Sequence, residues 1–245
     1  MTGTSLGPEV KHLTAVGGAM LYDASRAGNF RPEWFEPAFW RTHAAITGEV
    51  TGRGRTYFLR EGKDELVLRH YRRGGLVALA LGDRYWFESE ARTRPFAEWQ
   101  LTYHLHRAGL PVAAPVAARY QREGRWYRGD LLTERLPGAL SLSARLATGV
   151  LPIASWVAIG RCIRRFHAAG VCHADLNAHN ILLDEAGGVY LIDFDRGSLR
   201  RPGLWRDANL ARLYRSLDKI TDALPPARVS EADWHSLLAG YREGG

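Results

Sequence analysis

One stretch in the second half of the chain constrains the fold more than any other. It runs from His173 to Asn180 with the sequence HADLNAHN, and it follows a segment with apolar residues at helical spacing that ends at Gly170. Two short apolar runs come next, and the second of them leads into Asp193. These patterns predict a helix, a polar loop and two short strands around a turn. The loop and Asp193 are therefore candidates for one shared site.

The residue types in this stretch are those that phosphoryl transfer from a nucleotide requires. Asp175 stands five residues before Asn180, and Asp193 follows an apolar strand, which is the order of a kinase catalytic loop and metal-binding aspartate. In such a site one carboxylate orients the attacking hydroxyl, while an amide and a second carboxylate hold the magnesium ion. Each residue alone is equally typical of a turn or a cap. The whole set in this order indicates a kinase.

Composition and charge limit the class of protein. The chain has 245 residues, of which 46% are hydrophobic, so one compact domain or two lobes sharing a cleft are expected and disorder is not. The formal net charge of +7 indicates an acidic partner such as a nucleotide, a phosphorylated lipid or an anionic membrane. The two cysteines are too few for a disulfide framework.

Neither a signal peptide nor a membrane-spanning segment is indicated by the sequence. The first nine residues lack the cationic and apolar pattern of a signal peptide, and the longest weakly polar run is too short to span a bilayer. We therefore expect a soluble or peripheral protein on the ATP-containing side of a membrane.

Residues 1–45 are predicted to form an irregular arm. Four large aromatic side chains follow Arg31 within ten residues, around two prolines. Aromatic side chains bury large areas, so we expect the arm to pack onto the body of the protein. The alternative is a lipid or interfacial contact, because tryptophan favours the boundary between water and an apolar phase.

The remainder of the chain is predicted to form a β-rich lobe over residues 46–136 and a helical lobe over residues 137–245, with the fold class α+β. In the first lobe, Gly52 and Gly54 lie between two strand patterns, where backbone amides can approach a phosphate, although an ordinary hairpin has the same sequence. Glu98 lies in the first clear helix, between apolar positions that recur at helical spacing.

Taken together, these motifs resemble the bilobal protein-kinase fold. Within that superfamily the chain is similar to the bacterial lipopolysaccharide-core kinases, above all to those that phosphorylate the 4-hydroxyl of 3-deoxy-D-manno-octulosonic acid (Kdo) on a lipid A precursor. The segments that carry the closer resemblance are Tyr22-Asp23, Pro32–Phe35, Gly52–Gly54, Val67–Gly75, Asp175–Leu182 and Asn209–Leu213.

The resemblance implies a role for each motif, with ATP and Mg2+ as cofactors. Asp175 is the catalytic residue that orients the sugar hydroxyl and accepts its proton. Asn180 and Asp193 are the magnesium ligands. Arg69 contacts the nucleotide phosphates and is held by Glu98, in place of the usual Lys–Glu pair.

Two further segments take roles from the same resemblance. The turn at Gly52 and Gly54 covers the phosphates. The stretch Asp130–Glu134 joins the lobes, where its backbone groups meet the adenine.

Three departures from the kinase pattern narrow the substrate. Arg69 stands where kinases usually carry lysine, Ala174 replaces the arginine of His-Arg-Asp, and Asp195 replaces the glycine of Asp-Phe-Gly. Without that arginine, the usual partner of an activation-loop phosphate is missing. Regulation by loop phosphorylation and a protein substrate are therefore not expected, and a small or lipid-linked acceptor is.

The expected partners are a Kdo-lipid A acceptor and the anionic surface of the inner membrane, bound peripherally on its cytoplasmic face. No nucleic-acid partner is expected and no protein partner is evident. The arginines that could meet these anions are Arg72, Arg73, Arg164, Arg165, Arg196, Arg200, Arg201 and Arg206. Such residues are as often part of a solvated face paired with glutamates.

Two other functions remain open at this stage. One is a different small-molecule phosphotransferase, either a core heptose kinase or an enzyme like the aminoglycoside and choline kinases; the latter need an acidic pocket, which the basic net charge disfavours. The other is a catalytically inactive kinase-like binding module, which the unusual Arg69 leaves open. The acceptor separates the phosphotransferases, and ATP turnover separates both from the inactive module.

Overall fold

The computed structural model describes residues 6–51, 55–74, 81–221 and 229–243. The chain divides into two compact units. The first unit comprises Met1–Tyr103 and Ala114–Arg135, and the second comprises His104–Ala113 and Leu136–Gly245. An antiparallel sheet fills the first unit and helices dominate the second, so the predicted α+β class is confirmed.

The sheet of the first unit has the strand order β1-β2-β7-β8-β5-β4-β3, with β6 paired to β8 outside this path. Its strands are β1 (Val10–Ala15), β2 (Gly18–Asp23), β3 (Ile46–Thr51), β4 (Arg55–Glu61), β5 (Asp64–His70), β6 (Tyr85–Trp86), β7 (Pro115–Glu123) and β8 (Trp126–Glu134). Side chains along a strand alternate between the two faces of a sheet. Neighbouring residues of β5, such as Leu68 and Arg69, therefore face opposite sides.

Helix α2 (Arg94–Arg107) covers one face of this sheet. Phe96, Trp99 and Tyr103 recur on one side of the helix and are buried against the sheet in a single apolar cluster. The helix ends in a Schellman motif, in which the N–H of Leu110 donates to the carbonyl of Leu105. Gly109 has the left-handed backbone (φ 72°) that this ending requires.

The N-terminal segment covers the other face, and its interpretation as irregular was wrong. It contributes β1 and β2 to the sheet, a 3-10 helix over Pro32–Phe35 and the short helix α1 (Pro37–Thr42). Its aromatic residues Trp34, Phe35 and Trp40 are buried in one apolar cluster with residues of the sheet. The strand β1 escaped notice because its side chains are almost all exposed, which is common in a strand at the edge of a sheet.

The second unit places short strands among helices. Its helices are α3 (Leu142–Thr148), α4 (Ile153–Ala168), α5 (Trp205–Thr221) and α6 (Glu231–Glu243). Its strands are β9 (Leu140–Ser141), β10 (Val171–Cys172), β11 (Ile181–Leu183), β12 (Val189–Leu191) and β13 (Ser198–Leu199), which form one sheet in the order β12-β11-β9 and the pair β10-β13. The predicted polar loop lies between β10 and β11.

Helices α4 and α6 approach closely because glycines lie at their crossing. A Cβ atom added to Gly160 would lie 2.0 Å from the Leu237 carbonyl oxygen, and one added to Gly240 would lie 2.2 Å from that of Val157. Alanine does not fit at either position without moving a helix. In the described ranges, no helix is long and apolar enough to cross a bilayer.

Candidate active site

The loop between β10 and β11 is shaped by its own asparagines. The side-chain N–H groups of Asn177 and Asn180 both donate to the backbone carbonyl of Asp175, at 3.0 and 2.9 Å. The Asn177 side-chain oxygen in turn accepts from the N–H of His179 at 2.8 Å, as asparagine does in tight turns. These bonds fix the backbone of Asp175 and leave its carboxylate, 49% exposed, facing solvent.

His173 connects this loop to the residue before Asp193. The N–H of Asp175 donates to His173 Nδ1 at 3.1 Å, so the ring proton is on Nε2, which donates to the carbonyl of Ile192 at 2.9 Å. Burial lowers the pKa of His173 and outweighs the nearby acids that raise it. The ring packs against Phe194 with centroids 4.9 Å apart. His173 is therefore a neutral positioning residue.

Two side chains of helix α5 are hydrogen-bonded to the loop. The buried Asn209 accepts from the N–H of His173 at 3.2 Å and donates to its carbonyl at 2.9 Å. Two turns further along, Ser216 Oγ accepts from the N–H of Ala178 at 3.2 Å. Sequence reasoning assigned no role to Asn209, although an asparagine next to Leu210 and Leu213 on a buried helix face is a signal of a polar tether.

Between these two anchors, Arg212 reaches the predicted catalytic carboxylate. Its Nη1 donates to Asp175 Oδ1 at 2.6 Å, and both side chains are about half-exposed. Sequence reasoning did not include Arg212 among the functional arginines. Arg212 lies one turn after Asn209 and so on the same side of α5, but the sequence alone does not indicate which element that side faces.

Asn180 and Asp193 are brought together by the strand that follows the loop. The N–H of Ile192 donates to the carbonyl of Asn180 at 3.0 Å. Asp193 is the residue after Ile192, so this bond brings it close to Asn180. Asp193 has a left-handed backbone (φ 63°), a strained conformation that clusters at functional sites. Because the Asn180 amide nitrogen is committed to Asp175, its side-chain oxygen is the atom suited to a cation.

The amide oxygen of Asn180 and the carboxylate of Asp193 are oxygen ligands of the type that Mg2+ prefers. Among the described residues there is no group of three or more His, Cys, Asp or Glu side chains that could hold a metal ion. Mg2+ does not need one, because it keeps several water ligands and is bound through one or two protein oxygens and the substrate phosphates. One carboxylate and one amide oxygen are therefore sufficient protein ligands.

The other predicted nucleotide contacts belong to the first unit. Arg69 Nη2 donates to Glu98 Oε2 at 2.5 Å, and Tyr71 Oη donates to the same oxygen. Glu98 is buried, whereas Arg69 is partly exposed. The structure thus brings the predicted pair together, and its role with phosphate stays a prediction. Gly52 and Gly54 lie outside the described residues.

The prediction that Asp130–Glu134 joins the two halves of the chain was wrong. These residues lie in β8, paired with β5 on one side and β7 on the other. Their backbone groups are largely committed to these two neighbouring strands. The division between the units falls after Arg135.

A second polar cluster lies on the opposite face of the sheet from Glu98. Arg119 donates to Asp130 Oδ2 through Nε at 3.0 Å and through Nη2 at 2.9 Å, and to Glu36 at 2.5 Å. His70 Nδ1 bonds the other Asp130 oxygen at 2.7 Å, and its Nε2 bonds Asp83 at 3.1 Å. This cluster, which sequence reasoning missed, lines a cavity of about 340 Å³.

Five of the eight arginines expected to meet anionic surfaces fall into two groups. Three of them donate to backbone carbonyls at 2.7–2.9 Å and so support the fold: Arg73, Arg165 and Arg206. Arg196 and Arg201 are exposed, and they flank Leu199, which is 60% exposed; Leu204, three residues beyond Arg201, is 85% exposed.

The order of the Arg–Glu pair, the polar loop and Asp193 along the chain is that of a protein-kinase-like phosphotransferase. More closely, the chain belongs to the lipopolysaccharide kinase (Kdo/WaaP) family, whose model matches residues 37–241. It is therefore an enzyme that transfers a phosphoryl group to a hydroxyl, with ATP as the donor.

Individual relatives agree with this assignment. The chain is 49% identical over 206 residues to a 3-deoxy-D-manno-octulosonic acid kinase of Xylella fastidiosa strain 9a5c, covering 83% of this chain and 81% of the relative. It is 47% identical over 204 residues to the enzyme of the same name from Stenotrophomonas maltophilia, with the same coverage. A third, from Haemophilus influenzae strain 86-028NP, is 40% identical over 232 residues, covering 91% and 95%.

Proposed function

We propose that this protein transfers the γ-phosphoryl group of ATP to the 4-hydroxyl of Kdo in Kdo-lipid A, during assembly of the lipopolysaccharide inner core. The observation that carries the proposal is the likeness to relatives named for this acceptor, at 40–49% identity across most of both chains. The geometry of the loop agrees with it, because Asp175 offers an accessible carboxylate on a backbone held by hydrogen bonds.

Asp175 is the group that acts on the acceptor. Its carboxylate orients the sugar hydroxyl and takes its proton as the oxygen attacks phosphorus, an effect worth about 10²–10⁴-fold for general-base catalysis. His173 cannot take this role, since one ring nitrogen accepts from Asp175 and the other donates to Ile192. Its contribution is to keep the loop in register with Asp193.

Asn180 and Asp193 are the residues that would hold Mg2+. When bound, the ion offsets the negative charge of the nucleotide phosphates. Arg69 would contact those phosphates through its guanidinium group, which Glu98 holds in place, and Gly52 and Gly54 remain candidates for covering them. Arginine suits this position because its planar fork matches the geometry of phosphate oxygens.

We further propose that the protein works at the cytoplasmic face of the inner membrane, bound peripherally. The segment from Arg196 to Leu204 supports this, because it combines exposed arginines with two exposed leucines. Each basic residue near an anionic bilayer contributes about 1 kcal/mol. Replacing Leu199 and Leu204 with serine should reduce sedimentation with anionic vesicles, and unchanged sedimentation would exclude this segment as the contact.

The decisive experiment for the acceptor is incubation of the protein with Mg-ATP and Kdo-lipid A. We expect mass spectrometry to show one added phosphate, and fragmentation to map it to the 4-hydroxyl of Kdo. Asp175→Asn is the matched control, because it keeps the shape of the side chain and removes the base. Phosphate found on heptose instead would indicate a different core kinase, and no ATP turnover at all would indicate an inactive binding module.

A further inference from the structure

Arg212 is placed next to the reacting group in a way that stability does not explain. Its single hydrogen bond to Asp175 joins two side chains that are each 49% exposed. Exposed ion pairs contribute about 0–1 kcal/mol to folding. The loop is already held to α5 by Asn209 and Ser216, so the loop does not need Arg212 as a tether.

The same two anchors fix where the guanidinium of Arg212 lies. Asn209 and Ser216 are seven residues apart on α5 and both bond the loop, and Arg212 projects between them on that side of the helix. Its head group is therefore held within bonding distance of Asp175, on a rigid element. Asp175 Oδ1 accepts one of its five N–H donors, and no other bond to Arg212 is present among the described residues.

The proposed acceptor carries an anion close to the hydroxyl that reacts. In Kdo the carboxylate is on ring carbon 2 and the hydroxyl is on ring carbon 4, with one methylene group between them. Any pose that brings the 4-hydroxyl to Asp175 therefore brings a second carboxylate near the first. Two carboxylates at close range repel unless a cation lies between them, and the cation bonded to Asp175 is Arg212.

We propose that Arg212 is a specificity-determining residue that binds the carboxylate of the acceptor sugar while it remains beside Asp175. An arginine suits this task because its fork bonds a carboxylate bidentately and still has N–H groups for a second partner. The enzyme would thereby select an acidic sugar over a neutral one at the same hydroxyl. This inference rests on the proposed function, since it assumes a Kdo acceptor.

The test compares two enzymes, each of them with two acceptors. The acceptors are synthetic Kdo-lipid A and the same molecule with the Kdo carboxyl as a methyl ester; the enzymes are wild type and Arg212→Gln. We expect esterification to lower kcat/KM of the wild type by about 10–100-fold and to change that of Arg212→Gln by less than about threefold. The loss in the variant should lie mainly in the acceptor KM, with the KM for ATP unchanged.

Two further variants complete the design. Arg215→Gln removes an equal charge one turn along α5, from an exposed arginine without a described partner, and should discriminate against the ester as the wild type does. Arg212→Lys keeps the charge without the fork and should give an intermediate ratio. Thermal melting of each variant establishes that it is folded.

The outcomes separate the two proposals. If the wild type leaves Kdo-lipid A unphosphorylated, the proposed function is wrong and this inference is overturned with it. If the wild type is active but esterification lowers kcat/KM of Arg212→Gln by the same factor as that of the wild type, the effects of the substitution and of the ester on kcat/KM are independent. In that case only the role of Arg212 is overturned.

Discussion

Two carboxylates, one in each unit, are bonded to arginine in very different ways. Asp130 accepts two bonds from Arg119 on one oxygen and one from His70 on the other, and both members of the Asp130–Arg119 pair are less than 10% exposed. Asp175 accepts one bond from Arg212, and both members of that pair are half-exposed. Asp130 is buried and both of its oxygens are hydrogen-bonded, whereas Asp175 has one engaged oxygen and access to solvent.

The difference shows how the same pair of residue types can stabilise the fold in one place and take the proposed chemical role in another. Removing one member of a buried ion pair is strongly destabilising, because the remaining charge is left with neither water nor its partner. A half-exposed pair is worth little to folding, and its members can exchange partners at low cost. Burial and the number of bonds therefore separate the two roles.

The largest effect is expected from Asp175→Asn. Turnover should fall by at least about 10²–10⁴-fold, because the amide cannot accept the acceptor proton. The free energy of unfolding should change by less than about 1 kcal/mol, since an exposed ion pair is lost. Steady-state kinetics and urea denaturation measure the two quantities. Nucleotide affinity should be nearly unchanged; a loss of affinity as large as the loss of rate would contradict the assigned role.

Asp130→Ala should show the opposite profile. Removing Asp130 leaves the buried Arg119 with only Glu36 and the Phe35 carbonyl as partners, which should lower the free energy of unfolding by roughly 3–5 kcal/mol. The double variant Arg119→Met/Asp130→Leu should recover most of this loss, because it removes both charges and restores apolar volume. Denaturant titration of the three proteins tests this. If the double variant is less stable than Asp130→Ala, the buried pair is a net source of stability.

Glu98 provides an intermediate case, since it is buried but bonded to the partly exposed Arg69. Glu98→Gln keeps the side-chain shape and replaces a charge-assisted bond with a weaker neutral one. The KM for ATP should rise about tenfold, equivalent to about 1.4 kcal/mol, with the acceptor KM unchanged. An ATP KM equal to that of the wild type would mean that Glu98 supports only the fold.

The smallest effect is expected from pH, through His70. Burial opposes protonation of this imidazole, but hydrogen bonds and charges from Asp130 and Asp83 outweigh burial and raise its pKa above the usual 6.5. The resulting stability is fully present below about pH 6.5 and is lost as pH rises through the folded-state pKa.

The contribution of protonated His70 to stability can be measured by comparing the wild type with His70→Gln. Thermal melting of the wild type between pH 6 and pH 9 should show declining stability that the variant lacks. The pKa of Asp83 is lowered by its bonds to His70 and Arg128, although burial opposes the shift, so that contribution is lost only in acid. A wild type whose stability rises from pH 6 to pH 9 would contradict the assignment.

The parts of the site that are close in sequence could be predicted, and those contributed by distant segments could not. Asp175, Asn180 and Asp193 lie within one loop and hairpin, so their spacing alone implies proximity. Asn209 and Arg212 approach the same loop from more than thirty residues away. Nothing in the local pattern of α5 states which element its polar side faces.

The same reasoning explains the errors in the first unit. Strand β1 has almost no buried side chain, so it lacks the alternation that identifies a strand. The stretch Asp130–Glu134 was assigned to the joint between the halves by resemblance, yet it continues β8, and its first three residues are buried in succession. Pairing on both sides of a strand is a long-range property, which strand propensity does not report.

Asp193 carries a consequence for how the molecule can change. Its left-handed backbone costs a residue with a Cβ on the order of 1–3 kcal/mol, and glycine at this position would remove that cost together with the carboxylate. Stability therefore favours glycine at position 193, whereas the proposed activity requires the carboxylate. Variants selected only for survival at high temperature would gain from glycine at position 193. With Asp193 as the proposed magnesium ligand, the same variants would lose activity.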